Sequence, residues 1–146
     1  MPQNNINPQK ITRIGVGAVV FKDDAILLVK RRNPPYQNQW AIPGGKLRFC
    51  EPLKVAVARE ILEETGIVID VLEPVHTFEV ISQNNDKIKA DALHYVVIDY
   101  VANYQSGEIL AADDAKSAAW VSRENFKKLD INQESKTLLH DKFSFP

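Results

Sequence analysis

Apolar and β-branched residues fall in runs separated by short polar breaks along most of this chain, a pattern that predicts strands. The first run, Ile11 to Phe21, is β-branched and glycine-bearing, which predicts a strand whose backbone something can approach closely. Asp23-Asp24 predicts a turn, and Ala25 to Arg32 reads as the paired, mostly buried strand. NPPYQNQ, with its prolines and amides, predicts a loop. WAIPGGK, Trp40 to Lys46, reads as a short extended piece broken at Gly44-Gly45. Further strands are expected at Ile67 to Leu72, Val75 to Ile81, Ala92 to Tyr104 and Ala118 to Val121, with SQNNDK as a hairpin-like connection.

A helix is expected from Pro52 to Thr65. Pro52 suits the first helical position, with Glu51 just outside it, and Gly66 suits the stop after the last turn. Two more helical stretches close the chain, Arg123 to Leu129 and Gln133 to Lys142. Strands on both sides of one central helix, with helices at the end, predict an α/β fold with a mixed sheet and helices on its faces.

The charges on the central helix break the usual placement. At about 100° per residue, Glu63 and Glu64 fall about 60° to one side and 40° to the other of Glu60. The three carboxylates share one stripe, and Val55, Val57, Ala58, Ile61 and Leu62 form an apolar arc expected to pack on the sheet. Glu60 and Glu64 are a like-charge pair costing roughly 0.2–0.5 kcal/mol. Glu63 and Glu64 oppose the helix dipole at about 0.3–1 kcal/mol each when exposed. Arg59 offsets a few tenths through Glu63, so the net cost is about 1 kcal/mol. A divalent cation removes that objection, because Mg²⁺ takes one or two carboxylates together with substrate phosphates and water. A solvated charged face accounts for the local spacing equally well.

Composition narrows the class. Apolar residues make up 45% of 146 and charged residues 25%, which is globular rather than disordered. A chain of this length buries roughly two-thirds of its unfolded surface, so one domain over residues 1–146 is expected, with residues 1–10 as a loose tail. Lys+Arg number 18 and Asp+Glu 19, a net charge of −1 that does not suggest a polymeric nucleic acid as partner. Cys50 is the only cysteine, so neither an internal disulfide nor a cysteine metal cluster is available. MPQNNINPQK lacks the apolar stretch of a signal peptide, and no apolar run approaches the ~18 residues of a membrane span. The expectation is a soluble cytoplasmic protein with no membrane partner.

The wider frame decides between the two readings of the acidic stripe. Gly45 is followed after five residues by Glu51, and after seven more by Arg59-Glu60 and Ile61. One residue on come Glu63-Glu64, and after another, Gly66 and Ile67. This resembles the signature of the Nudix hydrolases, the MutT-related pyrophosphohydrolases, with every defined position filled. Seven fixed residues and two aliphatic slots match by chance on the order of 10⁻⁹ to 10⁻¹⁰ per start. The resemblance implies a Nudix-type α/β/α sandwich, a mixed β-sheet with helices on both faces. It also implies hydrolysis of a nucleoside diphosphate linked to a second group, by attack of water on phosphorus.

By the same match, Glu60, Glu63, Glu64 and the backbone carbonyl of Gly44 are expected to bind the metal, Mg²⁺ or alternatively Mn²⁺. Arg59 would orient Glu63 or its neighbour, and Glu51 would act through water or hold the loop. The general base falls to Glu60 or Glu63, or to an acid of a distant loop, for which Glu108, Asp113 and Asp114 are candidates. Arg31 and Arg32 could reach phosphates, since Arg makes bidentate contacts. Tyr36 and Trp40 could stack on a base, although Trp40 reads better as core. His94 and Tyr95 read as half-buried strand residues, and His76 and His140 as structural or surface.

KRRNPPYQNQWAIPGGK and HYVVIDYVANYQSGE resemble the ADP-ribose-pyrophosphatase-like branch of the family. A proline some sixteen residues after the signature goes with ADP-ribose hydrolases, and here Gln83 holds that place, with Pro74 nearest. The implied substrate is ADP-ribose or a related nucleotide sugar, giving AMP and a sugar phosphate. The alternatives are a pyrophosphatase that sanitises oxidised nucleoside triphosphates and a nucleotide-sensing module without turnover. Members of this size are often homodimers.

Overall fold

The computed structural model describes residues 11–33, 36–82, 93–110 and 117–146. Gln83, Asp113, Asp114 and the connection after Ser82 lie outside them. Strands β1 (Thr12–Lys22) and β2 (Ala25–Lys30) form a hairpin through Asp23-Asp24. Both turn residues have positive φ, 48° and 67°, the backbone whose twist matches a two-residue hairpin and which Asp tolerates. Two short strands follow, β3 (Trp40–Ala41) and β4 (Gly44–Lys46), then helix α1 (Leu53–Thr65). β5 (Val68–Ser82), β6 (Leu93–Ser106), β7 (Ala118–Val121), α2 (Arg123–Phe126) and α3 (Gln133–Phe143) complete the order.

All seven strands of the described residues join one sheet, in the order β3-β2-β1-β6-β5, with β4 also on β1 and β7 on β2. β1 and β6 are parallel and the other pairs antiparallel, so the sheet is mixed. Side chains alternate across it. Val16, Ala18 and Val20 of β1 bury against Val57 and Ile61 of α1 on one face. Val19 of β1 and Ile26 and Leu28 of β2 join Phe126, Leu138, Leu139 and Phe145 on the other. This is the expected α/β/α arrangement.

Three expectations need correction. Ile67 to Leu72 and Val75 to Ile81 are one edge strand, not two. Its register slips between Val71 and Glu73 and between Pro74 and His76, bulges that admit a proline at a sheet edge. β2 stops at Lys30, so Arg31 and Arg32 lie in the loop beyond it. The last short helix ends at Phe126 rather than Leu129.

The rotation of α1 differs too. Val55 and Leu62, expected inside, are 53% and 51% exposed, and the buried residues are Ala56, Val57, Ile61 and Thr65. At about 100° per residue this buried arc is centred close to Glu64, not opposite it. Two glutamates therefore share the helix's inner side with the core, and only Glu63 points outward. Aliphatic content alone predicts the wrong face because this helix packs partly on a glycine strand, β4, that leaves room for carboxylates. Gly66 ends α1 as expected, at φ 80° with its N–H on the Leu62 carbonyl. No helix among the described residues is long and apolar enough to cross a membrane.

Candidate active site

The site is built where α1 meets β4. Gly44 and Gly45 pair with Gly17 and Val16 of β1, at the sheet's open side. A β-carbon on Gly44 would overlap the Val16 carbonyl, so glycine is required for the strands to meet. One on Gly45 would overlap the Glu60 carboxylate, which lies against the bare backbone. The Gly44 N–H donates to Glu64 Oε2 at 3.0 Å. Glu60, Glu64, Gly44 and Gly45 then form one wall of a cavity of about 550 Å³, within the size range of small-molecule sites.

Arg59 ties the frame together. Its Nε and Nη2 donate to the two oxygens of Glu51 at 2.7 and 2.8 Å, a forked pair. Nη1 donates to Glu60 at 2.7 Å and to Glu63 at 3.2 Å, and Nη2 also reaches the Lys46 carbonyl at 3.0 Å. Glu51 thus holds the loop through Arg59, and its carboxyl is held down at about 2 by that hydrogen bond. The same partners raise the Arg59 guanidinium well above its ordinary value.

Glu64 is in the opposite situation. Burial pushes its carboxyl up to about 7, the Gly44 N–H opposes the shift, and the Glu60 charge adds to it. Arg31 faces the same cavity. Burial lowers its guanidinium, and the Glu64 charge works against that. Tyr36 and Tyr95 also line the cavity. Trp40 packs into the core beside α3.

The other expected residues fall outside this wall. Glu63 is half-exposed, shared between Arg59 and Arg48. Arg32 and Glu108 are exposed and do not line the cavity, Glu108 sitting beside Gly66 at the end of α1. His94 bonds Glu79 and Thr12 on the sheet surface.

Sequence reading missed Asp99 and Glu134, both cavity-lining. Asp99 is 2% exposed, and burial, then the Glu134 charge, pushes its carboxyl up to about 7. One acid inside the apolar run HYVVIDY was the available signal.

Among the described residues, no three His, Cys, Asp or Glu side chains are gathered as a ready-made metal site. The donor set still fits a hard divalent ion that keeps water and takes substrate oxygens. Glu60 and Glu64 face one cavity, and Glu64 has only one neutral N–H in direct contact.

Two predictions arise here. Gly45→Ala should leave the fold intact and displace the Glu60 carboxylate, lowering activity about 10- to 100-fold. Gly44→Ala should instead lower thermal stability sharply, because its new methyl meets backbone. Equal activity of Gly45→Ala and the parent protein in a rate assay would remove Glu60 from the site.

The second concerns pH. Glu64 and Asp99 keep their protons to about 7 in the fold, against ordinary values of 4.5 and 3.8. The folded chain then binds more protons than the unfolded one, so stability falls as pH rises from about 4 to 7. Glu51, held at about 2, has the opposite sign, and its contribution disappears only as pH falls below its ordinary 4.5. Melting in a chelator should therefore be highest near pH 5 and decline toward pH 8. A melting temperature that climbs across that window would contradict the burial of Glu64 and Asp99.

Comparison with known proteins agrees with this architecture. The NUDIX domain model matches residues 11–142. An ADP-ribose pyrophosphatase of Methanocaldococcus jannaschii is 34% identical over 121 residues, covering 83% of this chain and 68% of its own. A MutT NUDIX hydrolase from Burkholderia pseudomallei superposes with a TM-score of 0.74 at 27% identity, over 91% of this chain and 99% of that one. A bifunctional NMN adenylyltransferase/ADP ribose pyrophosphatase from Francisella tularensis, solved with AMP and a manganese ion, gives 0.63 at 28% identity, over 91% and 41%. With its signature complete, its α/β/α fold in place and these relatives alongside, the chain belongs to the Nudix hydrolase family.

Proposed function

We propose that this protein is a divalent-metal-dependent pyrophosphohydrolase acting on ADP-ribose or a related nucleotide sugar. The oxygen of one water joins a phosphorus, the bridging P–O bond breaks, and AMP and a sugar phosphate leave. The carrying observation is Glu64, half-buried beside Glu60 on the wall of a nucleotide-sized cavity, with its carboxyl pushed up by partial loss of water. Substrate choice leans on the name of the 34% identical relative.

In this reading Glu60 and Glu64, with the Gly44 carbonyl, would hold Mg²⁺ or Mn²⁺, and Glu63 would stand by on the outer side. When bound, such an ion supplies positive charge against phosphate oxygens and lowers the pKa of water. Glu60 is better placed than Glu63 to take the water's proton, because it lines the cavity and Glu63 does not. Arg31, which lines the same cavity, would meet the phosphates. Arg59 fixes Glu60 in place rather than touching substrate.

The test is a substrate panel with Mg²⁺: ADP-ribose, other nucleotide sugars, dinucleoside polyphosphates, and oxidised and normal deoxynucleoside triphosphates, with products separated chromatographically. AMP and ribose 5-phosphate from ADP-ribose are expected. Pyrophosphate release from triphosphates alone would overturn the substrate and favour a sanitising role.

A further inference from the structure

The cavity has a second acidic wall, away from the signature helix. Asp99 stands on β6, in register with Gly17 of β1 and His76 of β5. Any β-carbon on Gly17 would overlap Asp99 Oδ1, so the glycine keeps room for the carboxyl. Asp99 is 2% exposed, yet none of the hydrogen bonds among the described residues uses its carboxyl. Among the described residues no buried side-chain oxygen is sealed away without a partner, and Asp99 lines the cavity, so its carboxyl opens there. Glu134, in the first turn of α3, lies on the same wall, 3.5 Å from His76 Nε2. Phe78, Val80 and Tyr95 supply apolar surface between the two walls.

A carboxyl removed from water without a donor is unfavourable, and a ligand that brings the donor relieves the cost. Above about pH 7, where Asp99 is ionised, its carboxylate accepts hydrogen bonds and repels phosphates, and the Glu134 carboxylate beside it does the same. The neutral end of a nucleotide can be that ligand, because its base amine and ribose hydroxyls donate.

We propose that Asp99 and Glu134 form a nucleoside-recognition subsite, accepting hydrogen bonds from an exocyclic amine or from ribose hydroxyls while the phosphates lie toward Glu60, Glu64 and Arg31. The proposal rests on the nucleotide reading above and adds the residues that read its uncharged part. Asp99 is a specificity-determining residue in this scheme, with no part in the chemical step.

The test is calorimetric binding of AMP, IMP and 2′-deoxy-AMP with Mg²⁺ to the wild type, Asp99→Asn and Glu134→Gln. At pH 8, where Asp99 is ionised, Asp99→Asn should weaken AMP about tenfold or more, because the amide accepts without the charge that strengthens the bond. That loss should shrink for IMP if the amine is read, and for 2′-deoxy-AMP if the hydroxyls are. Glu134→Gln, at a partly exposed position, should show the same pattern more weakly and serves if Asp99→Asn does not fold. Equal losses for all three nucleotides, or no loss, would overturn the subsite. Failure of the wild type to bind any of them would remove the nucleotide reading itself and the subsite with it.

Discussion

Glu64→Gln should lower kcat/KM by about a thousandfold, the size of effect seen when one group aimed at developing charge is removed. Gln keeps the shape of the side chain and a carbonyl to accept the Gly44 N–H, so the backbone turn at β4 stays supported. What it loses is the charge. At pH 8 that loss should also raise the melting temperature in a chelator, because a half-buried carboxylate beside Glu60 disappears. Below pH 6 the gain should vanish, since Glu64 then carries a proton in the fold. Rates with Mg²⁺ and melts at two pH values check both halves. Turnover at the parent rate would sink the role assigned to Glu64, while a destabilised variant would mean that its charge is matched by a protein group such as Arg31 rather than by a metal ion.

Arg59→Lys should cost about 10- to 100-fold, expressed mainly as a higher Mg²⁺ requirement. Arg59 makes five hydrogen bonds, to Glu51, Glu60, Glu63 and the Lys46 carbonyl, from three nitrogens fixed in one plane. Lysine retains the charge but is a point donor without that fork. It can hold Glu51 or Glu60, not both in their present places. The Glu60 carboxylate then swings free, and the loop before α1 loosens from Glu51. Mg²⁺ titrations of the initial rate are the check. An unchanged Mg²⁺ dependence would show that Glu60 is positioned by its packing on Gly45 alone.

The spacing in the sequence named a set of candidate residues without giving their arrangement. Gly45, Glu51, Arg59, Glu60, Glu63 and Glu64 were picked out by a fixed spacing, independent of which way the helix turns. The structure gathers Glu51, Glu60 and Glu63 around Arg59, with Glu60 and Glu64 on the cavity and Glu63 outside it. Strand order was partly legible, through β-branched runs and the Asp23-Asp24 turn. The orientation of α1 was not, because helical periodicity marks faces by hydrophobicity, and here carboxylates lie on the inner one. Pro74 misled for a similar reason, since a proline breaks a central strand but sits in a bulge at an edge. Asp99 and Glu134 are 35 residues apart on a strand and a helix, so only tertiary pairing brings them to one cavity.

The rotation of α1 has a consequence for anyone wishing to stabilise the protein. The ordinary remedy for a helix with acids in its last turn is to replace them with lysine. Here that remedy reaches the proposed site, because Glu64 lines the cavity and Glu63 shares Arg59 with Glu60. The permissible positions lie on the outer side, where Val55 and Leu62 are about half exposed and do not line the cavity. Polar, helix-favouring residues there could improve solubility and helix propensity together. Thermal robustness and turnover can therefore be engineered on opposite sides of one thirteen-residue helix.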